Sequence, residues 1–190
     1  MEKTNLENRC ILFEKPNFKF IKNSKNNYVF SFELINEKMD LTKLIDFSFI
    51  KFIYQLNPDI YESIVFKSID TNTIVATVIM KHFFQDLGIP QKYLHITIQK
   101  TTDNTTNCII FHSIPVINDV NIDIPLGAEP IHIKQFTITC KCYSLSEIQI
   151  NTDVILEDKV NIPHIIENFI GPIVFKIFNR IKQFIDNFKC

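Results

Sequence analysis

Two histidines and a few cysteines are the side chains here whose types could hold a metal or attack a substrate. His95 and His112 fall on two successive alternating apolar segments, with Cys108 one diagonal away, and Cys140 and Cys142 lie two apart on a later segment. A zinc site needs about four ligands converging as a tetrahedron. Side chains on one flat strand face do not converge that way, and no C-x₂-C pair exists. The expectation is therefore exposed histidines and core thiols, with no metal. Nucleophilic and phosphate chemistry have no better footing. The chain has no G-x-S-x-G elbow, no P-loop and no G-x-G-x-x-G fingerprint, and its 3 glycines leave no room for one. Asp153, Glu157 and Asp158 flank the last apolar segment before the C-terminal helix, where charges are usually solvated. No catalytic residue and no cofactor are predicted.

A second pattern lies near the N-terminus, where Lys15, Lys19, Lys22 and Lys25 interleave with Phe13, Phe18 and Phe20. Basic and aromatic interleaving suits a membrane surface or single-stranded nucleic acid. Glu7, Glu14 and a net charge of −1 argue against nucleic acid. Transient membrane contact stays open. With Pro16 and the run Asn23-Ser24-Lys25-Asn26-Asn27, residues 1–27 are read as a solvated arm whose phenylalanines tuck onto the body of the protein.

The elements that must position these groups follow from periodicity. The 190 residues make most simply one domain at 28–190 after the arm, with an ordinary 46% hydrophobic and 22% charged content. No apolar run reaches the length of a spanning helix and no secretory leader is evident, so the expected location is cytoplasmic. The 5 cysteines fit free thiols in a reducing compartment. Tyr28, Phe30, Phe32 and Leu34 alternate as a strand. Asp40 caps a helix over Leu41–Leu56, which Asn57-Pro58 stops. Three hairpins are expected next. The first turns at Asp70-Thr71-Asn72-Thr73. The second turns at Asp103-Asn104, with Ile98 facing Ile109, Ile96 facing Phe111, and His95 opposite His112. The third turns at Ser144-Leu145-Ser146, with Cys142 facing Ile148, Cys140 facing Ile150 and Phe136 facing Val154. A loop at 116–130, rich in proline, is long enough to act as a flap. Asn161-Ile162-Pro163 opens a final helix that runs to near Cys190. Ile166, Phe169, Ile170, Ile173, Ile177, Ile181, Phe184 and Phe188 form its apolar stripe, and Lys176, Arg180, Gln183 and Asn187 its polar face. Pro172 lacks the N–H that would bond to Asn168, so a kink or break is expected at Gly171-Pro172.

Strand, helix, about six strands and a long terminal helix is an α+β order with an antiparallel sheet. It resembles the helix-grip fold of the START and Bet v 1-like superfamily, over about Tyr28 to Phe188. A loose sequence echo accompanies the order. The hairpin YLHITIQKTTDNTTNCIIFHSIP is followed by loop residues 118–130 and by IKQFTITCKCYSLSEIQINTDVILEDKVNIP, whose acidic residues precede the proline at the last helix. The resemblance implies a curved antiparallel sheet gripping the terminal helix, with a hydrophobic cavity between them. It also implies a partner that is a lipid or another hydrophobic small molecule.

The expected walls of that cavity are Phe30, Phe32, Ile96, Ile98, Phe111, Ile138, Phe169, Ile173 and Ile177, with the 116–130 loop or the interrupted helix as lid. Two alternatives stay open: a structural or protein-interaction domain with a solid core and no ligand, and, more weakly, an enzyme of the same fold built from scattered residues.

Overall fold

The structure, a computed structural model, describes residues 9–116 and 122–188. Its elements are strands β1 (Cys10–Lys15), β2 (Phe18–Ser24) and β3 (Asn27–Ile35), helix α1 (Phe47–Gln55), strands β4 (Tyr61–Ser68), β5 (Thr73–Met80), β6 (Lys92–Asp103), β7 (Cys108–Pro115), β8 (Glu129–Pro130), β9 (Ile133–Ser144) and β10 (Glu147–Leu156), and helix α2 (His164–Asn187). The strands form one sheet in the order β1-β2-β3-β10-β9-β7-β6-β5-β4, antiparallel throughout, with β8 added in parallel beside β6. The sheet curves, and both helices lie in its concave face. Alternation explains which face that is. Tyr28, Phe30, Phe32 and Leu34 of β3 are all buried, as are Ile96 and Ile98 of β6 and Ile148 and Ile150 of β10.

The third hairpin has the expected register, with Ile148 on Cys142, Ile150 on Cys140 and Val154 on Phe136. The second does not. Ile98 pairs with Ser113 rather than Ile109, and Ile96 with Pro115 rather than Phe111. His112 faces Gln99, so the two histidines are not opposite each other. The turn is the reason. The Asp103 carboxylate accepts the Thr105 N–H at 2.9 Å and the hydroxyls of Thr105 and Thr106 at 2.6 and 2.7 Å, while Asn107 takes the left-handed φ of 52°. This local network makes a longer loop than the two-residue turn that alternation alone suggests. The slip is an even number of residues, so every side chain keeps its expected face.

Two other expectations are corrected. Residues 10–24 are no arm, because β1 and β2 extend the sheet from β3 and bury Phe18, Phe20 and Ile21. Residues 1–8 lie outside the described part. The helix expected over Leu41–Leu56 is two pieces. Asp40 caps a 3₁₀ turn at Leu41–Leu44, and Asp46 then accepts the Phe49 N–H at 3.1 Å and starts α1 afresh.

Candidate ligand cavity between the sheet and the terminal helix

Helix α2 runs unbroken across Gly171-Pro172. Pro172 and Asn168 both lie on the exposed side, where water can meet the carbonyl that proline leaves unbonded. The face that packs inward matches the expected stripe only in part: Ile177 and Ile181 are buried and Ile170 and Ile173 pack against the core. Its buried residues are Glu167, Gly171, Ile177, Ile181 and Ile185. Phe169, Phe184 and Phe188 are 48%, 42% and 44% exposed. Apolar residues occupy most of the helix circumference, so hydropathy alone could not choose the seat. Two specific contacts choose it.

The first is a close approach. A Cβ on Gly171 would meet the Phe13 Cβ at 2.5 Å, so only glycine lets the helix lie against β1 here. Around this point Phe13, Phe18 and Phe175 pack edge to face or tilted, with ring centroids 5.4–6.0 Å apart, and Phe32 stacks on Phe178 at 3.9 Å. The second is a buried carboxylate. Glu167 accepts hydrogen bonds from Lys22 Nζ and the Tyr28 hydroxyl, both at 2.5 Å. Burial alone would push the Glu167 carboxyl up, but the bonds from Lys22 and Tyr28 outweigh it and hold the group below its ordinary value. Burial, then the hydrogen bond to Glu167 and its charge, push the Tyr28 hydroxyl well up.

The second half of the helix is latched to α1 and the loop after it. Arg180 donates to Asp59 and, at 2.9 Å, to Asn57 Oδ1, and Lys176 reaches Asp59 at 2.6 Å. The Arg180 and Lys176 bonds hold the Asp59 carboxyl well below the usual carboxylate range. The Asn36 amide donates to the Ile185 carbonyl at 2.7 Å near the helix end.

Between these latches the helix and sheet border a partly open cavity of about 200 Å³. Phe30, Phe32, Ile98, Phe111, Ile138 and Ile177 line it, together with Phe49, Ile50, Ile53 and Tyr54 of α1, Val78 and Met80 of β5, and Val174 and Phe178 of α2. Three expected wall residues lie elsewhere. Ile96 is buried but borders a different hollow, Ile173 is half-buried against the core, and Phe169 packs outward on Phe84 of the β5–β6 loop at 5.9 Å. The sequence stripe missed α1 and β5 as walls, although the helical spacing of Ile50 and Ile53 and the alternation of Val78 and Met80 were there to be read.

Few polar groups meet the cavity. Ser113, Thr152, Cys140, Tyr54 and Tyr61 contribute them. Burial pushes the Tyr54 hydroxyl up to about 12 and Tyr61 higher, and pushes the Cys140 thiol up as well. These groups are neutral at pH 7, so the wall carries no charge. Ser113 is 1% exposed, and its hydroxyl has no hydrogen-bond partner in the structure.

A second hollow of about 310 Å³ lies at the far end of β6, bordered by Val116, Ile122, Pro130, His132 and Glu157. The described part of the 116–130 loop therefore borders this hollow and not the cavity under α2; residues 117–121 lie outside the described part. Among the described residues no cluster of three or more potential ligands could hold a metal. The two histidines bond to threonines instead, His95 Nδ1 with Thr77 at 2.9 Å and His112 Nδ1 with Thr137 at 3.2 Å. No described helix is long and apolar enough to cross a membrane.

No sequence-family model and no curated protein sequence matches the chain. Solved structures do. The human StarD13 lipid transfer and protein localization domain superposes with a TM-score of 0.71 at 10% identity, covering 95% of this chain and 90% of that one. Human STARD10 gives 0.70 at 7% identity, over 95% and 75%. A STAR-related lipid transfer protein fragment from Xanthomonas axonopodis gives 0.65 at 9% identity, over 93% and 98%. With its curved antiparallel sheet wrapped on a long C-terminal helix, the chain has the START-type helix-grip fold.

Proposed function

We propose that the protein binds a hydrophobic small molecule or lipid, without chemical turnover, in the cavity between the sheet and α2. The observation that carries the reading is the uncharged, largely apolar cavity lodged at the grip of a fold shared with lipid transfer domains. Such a site works by burying apolar area, at roughly 25 cal/mol per Å², with a few polar groups for orientation. Its setting would be cytoplasmic, where Cys108, Cys140 and Cys142 stay free thiols.

Where the β5–β6 loop meets the first half of α2, the rings of Phe84 and Phe169 pack with centroids 5.9 Å apart. Phe83, Leu87, Ile165 and Phe169 are exposed around it, an apolar rim that suits brief contact with a membrane surface. The competing reading is a ligand-free interaction module, favoured by one observation: about 200 Å³ is below the 300–1,000 Å³ usual for ligand pockets.

Native mass spectrometry of the recombinant chain, followed by organic extraction, decides between them. A retained apolar molecule that Ile177→Phe displaces is the expected result. A protein that carries nothing, takes up nothing from lipid vesicles, and forms a defined complex with a protein partner would establish the competing reading.

A further inference from the structure

Ser113 is out of character with its surroundings. It sits on the concave face of β7, paired with Ile98 on one side and Phe136 on the other, all three on the cavity wall. Its hydroxyl is buried and makes no hydrogen bond to a protein group. An orphaned buried hydroxyl costs about 1–3 kcal/mol, which alanine at the same position would avoid. A wall whose only task was to be apolar has no use for it. A wall that meets a ligand's single polar atom does.

The cavity volume bounds that ligand. A dry cavity of about 150 Å³ holds benzene. At about 200 Å³ this one takes about eight to ten non-hydrogen atoms as it stands, far short of a two-chain lipid. Resting on the binding function proposed above, we infer that the ligand is a small mono-oxygenated apolar molecule, an alkyl chain or ring with one hydroxyl or carbonyl that hydrogen-bonds to Ser113. Thr152, also on the wall, lies two strands away across β9 and is the control for generic wall polarity.

The test uses the full chain and two probes of matched size, 1-octanol and 1-chlorooctane, followed by the isoleucine methyl signals of Ile98, Ile138 and Ile177. Octanol should saturate these shifts. Ser113→Ala should weaken it about 3- to 10-fold, the equivalent of one neutral hydrogen bond, and leave chlorooctane unchanged. Thr152→Val should move the two probes together, without the octanol-selective loss expected at Ser113, and Ile177→Phe should weaken both. Equal binding of the two probes, or an octanol affinity that Ser113→Ala does not move, overturns the inference while the cavity remains a binding site. So does a chain that ignores both probes yet retains a larger lipid on purification. If it binds neither probe and retains no lipid, the binding function falls with the inference.

Discussion

The core has two ends under one helix, and they are built on opposite plans. Beneath the first half of α2, the β1–β3 end is filled by rings: Phe20 stacks on Phe30 at 4.5 Å and 5°, Phe18 meets Phe175 and Phe178, and Gly171 presses against Phe13. Across the sheet, at β5–β7 and β9, the inward positions include Val78, Ile98, Phe111, Ser113, Phe136 and Cys140, and there the cavity opens. Both faces alternate equally well. What differs is side-chain volume. At the β1–β3 end rings pack directly on rings; at the other end the rings of Phe111 and Phe136 alternate with Val78, Ser113 and Cys140, whose smaller side chains leave space unfilled. A helix seated on the solid end can thus cover a hollow without depending on it for stability.

The largest effect that tests this contrast is deletion at the solid end. Phe20 is fully buried, and Phe20→Ala should cost about 3–5 kcal/mol in urea unfolding. Next is the buried carboxylate. Glu167→Ala strands the Tyr28 hydroxyl and a Lys22 ammonium that is one-quarter exposed, for an expected loss of about 2–3 kcal/mol. The pH dependence has a definite sign. The folded-state value of Glu167 is depressed, so its contribution is complete above the ordinary 4.5 and disappears as pH falls through the folded value. Asp59, depressed by Arg180 and Lys176, adds a loss of the same sign at lower pH. Unfolding free energies should therefore be level between pH 7 and 5 and lower at pH 3.5, and Glu167→Gln should reduce that drop. An equal drop in the variant would remove Glu167 as its source.

Adding atoms separates the two ends more cleanly than removing them. Gly171→Ala places a methyl into the Phe13 side chain, so helix or strand must shift, at about 1–3 kcal/mol. Val78→Ile adds one methylene beside the cavity and should cost less than about 1 kcal/mol. If the two substitutions cost the same, the contrast between solid and hollow ends fails.

How much of this was legible in sequence depends on the kind of information needed. Alternation placed Phe30, Phe32, Ile98, Phe111 and Ile138 on the concave face, and element order gave the helix-grip fold. Face survives a register error of even length, so the wall residues of β6 and β7 held although their pairing slipped. The seat of α2 was legible at Ile177 and Ile181 but not in its first half. That half rests on Gly171, which has no side chain to count, and on Glu167, which a hydropathy stripe assigns to solvent. The β1–β2 hairpin was hidden for a related reason. Its lysines suggested solvent exposure, and Lys15, Lys19 and Lys25 are exposed, but Lys19 lies on the outer side of a strand whose phenylalanines, Phe18 and Phe20, are buried, and Lys22 reaches in to Glu167.

The smallest expected effect bears most directly on the hollow end. In a close-packed interior a lone serine finds a carbonyl or a water, and its replacement by alanine costs stability. Ser113 has no such protein partner, so Ser113→Ala should stabilise the ligand-free protein, by about 1 kcal/mol in urea unfolding. That gain should shrink or reverse once octanol fills the cavity, because ligand that bonds to the hydroxyl stabilises the wild-type chain more than the variant. A site that is merely a packing defect would show the first effect without the second. The difference between the two melts, with and without octanol, therefore separates an empty space from a space shaped for an occupant.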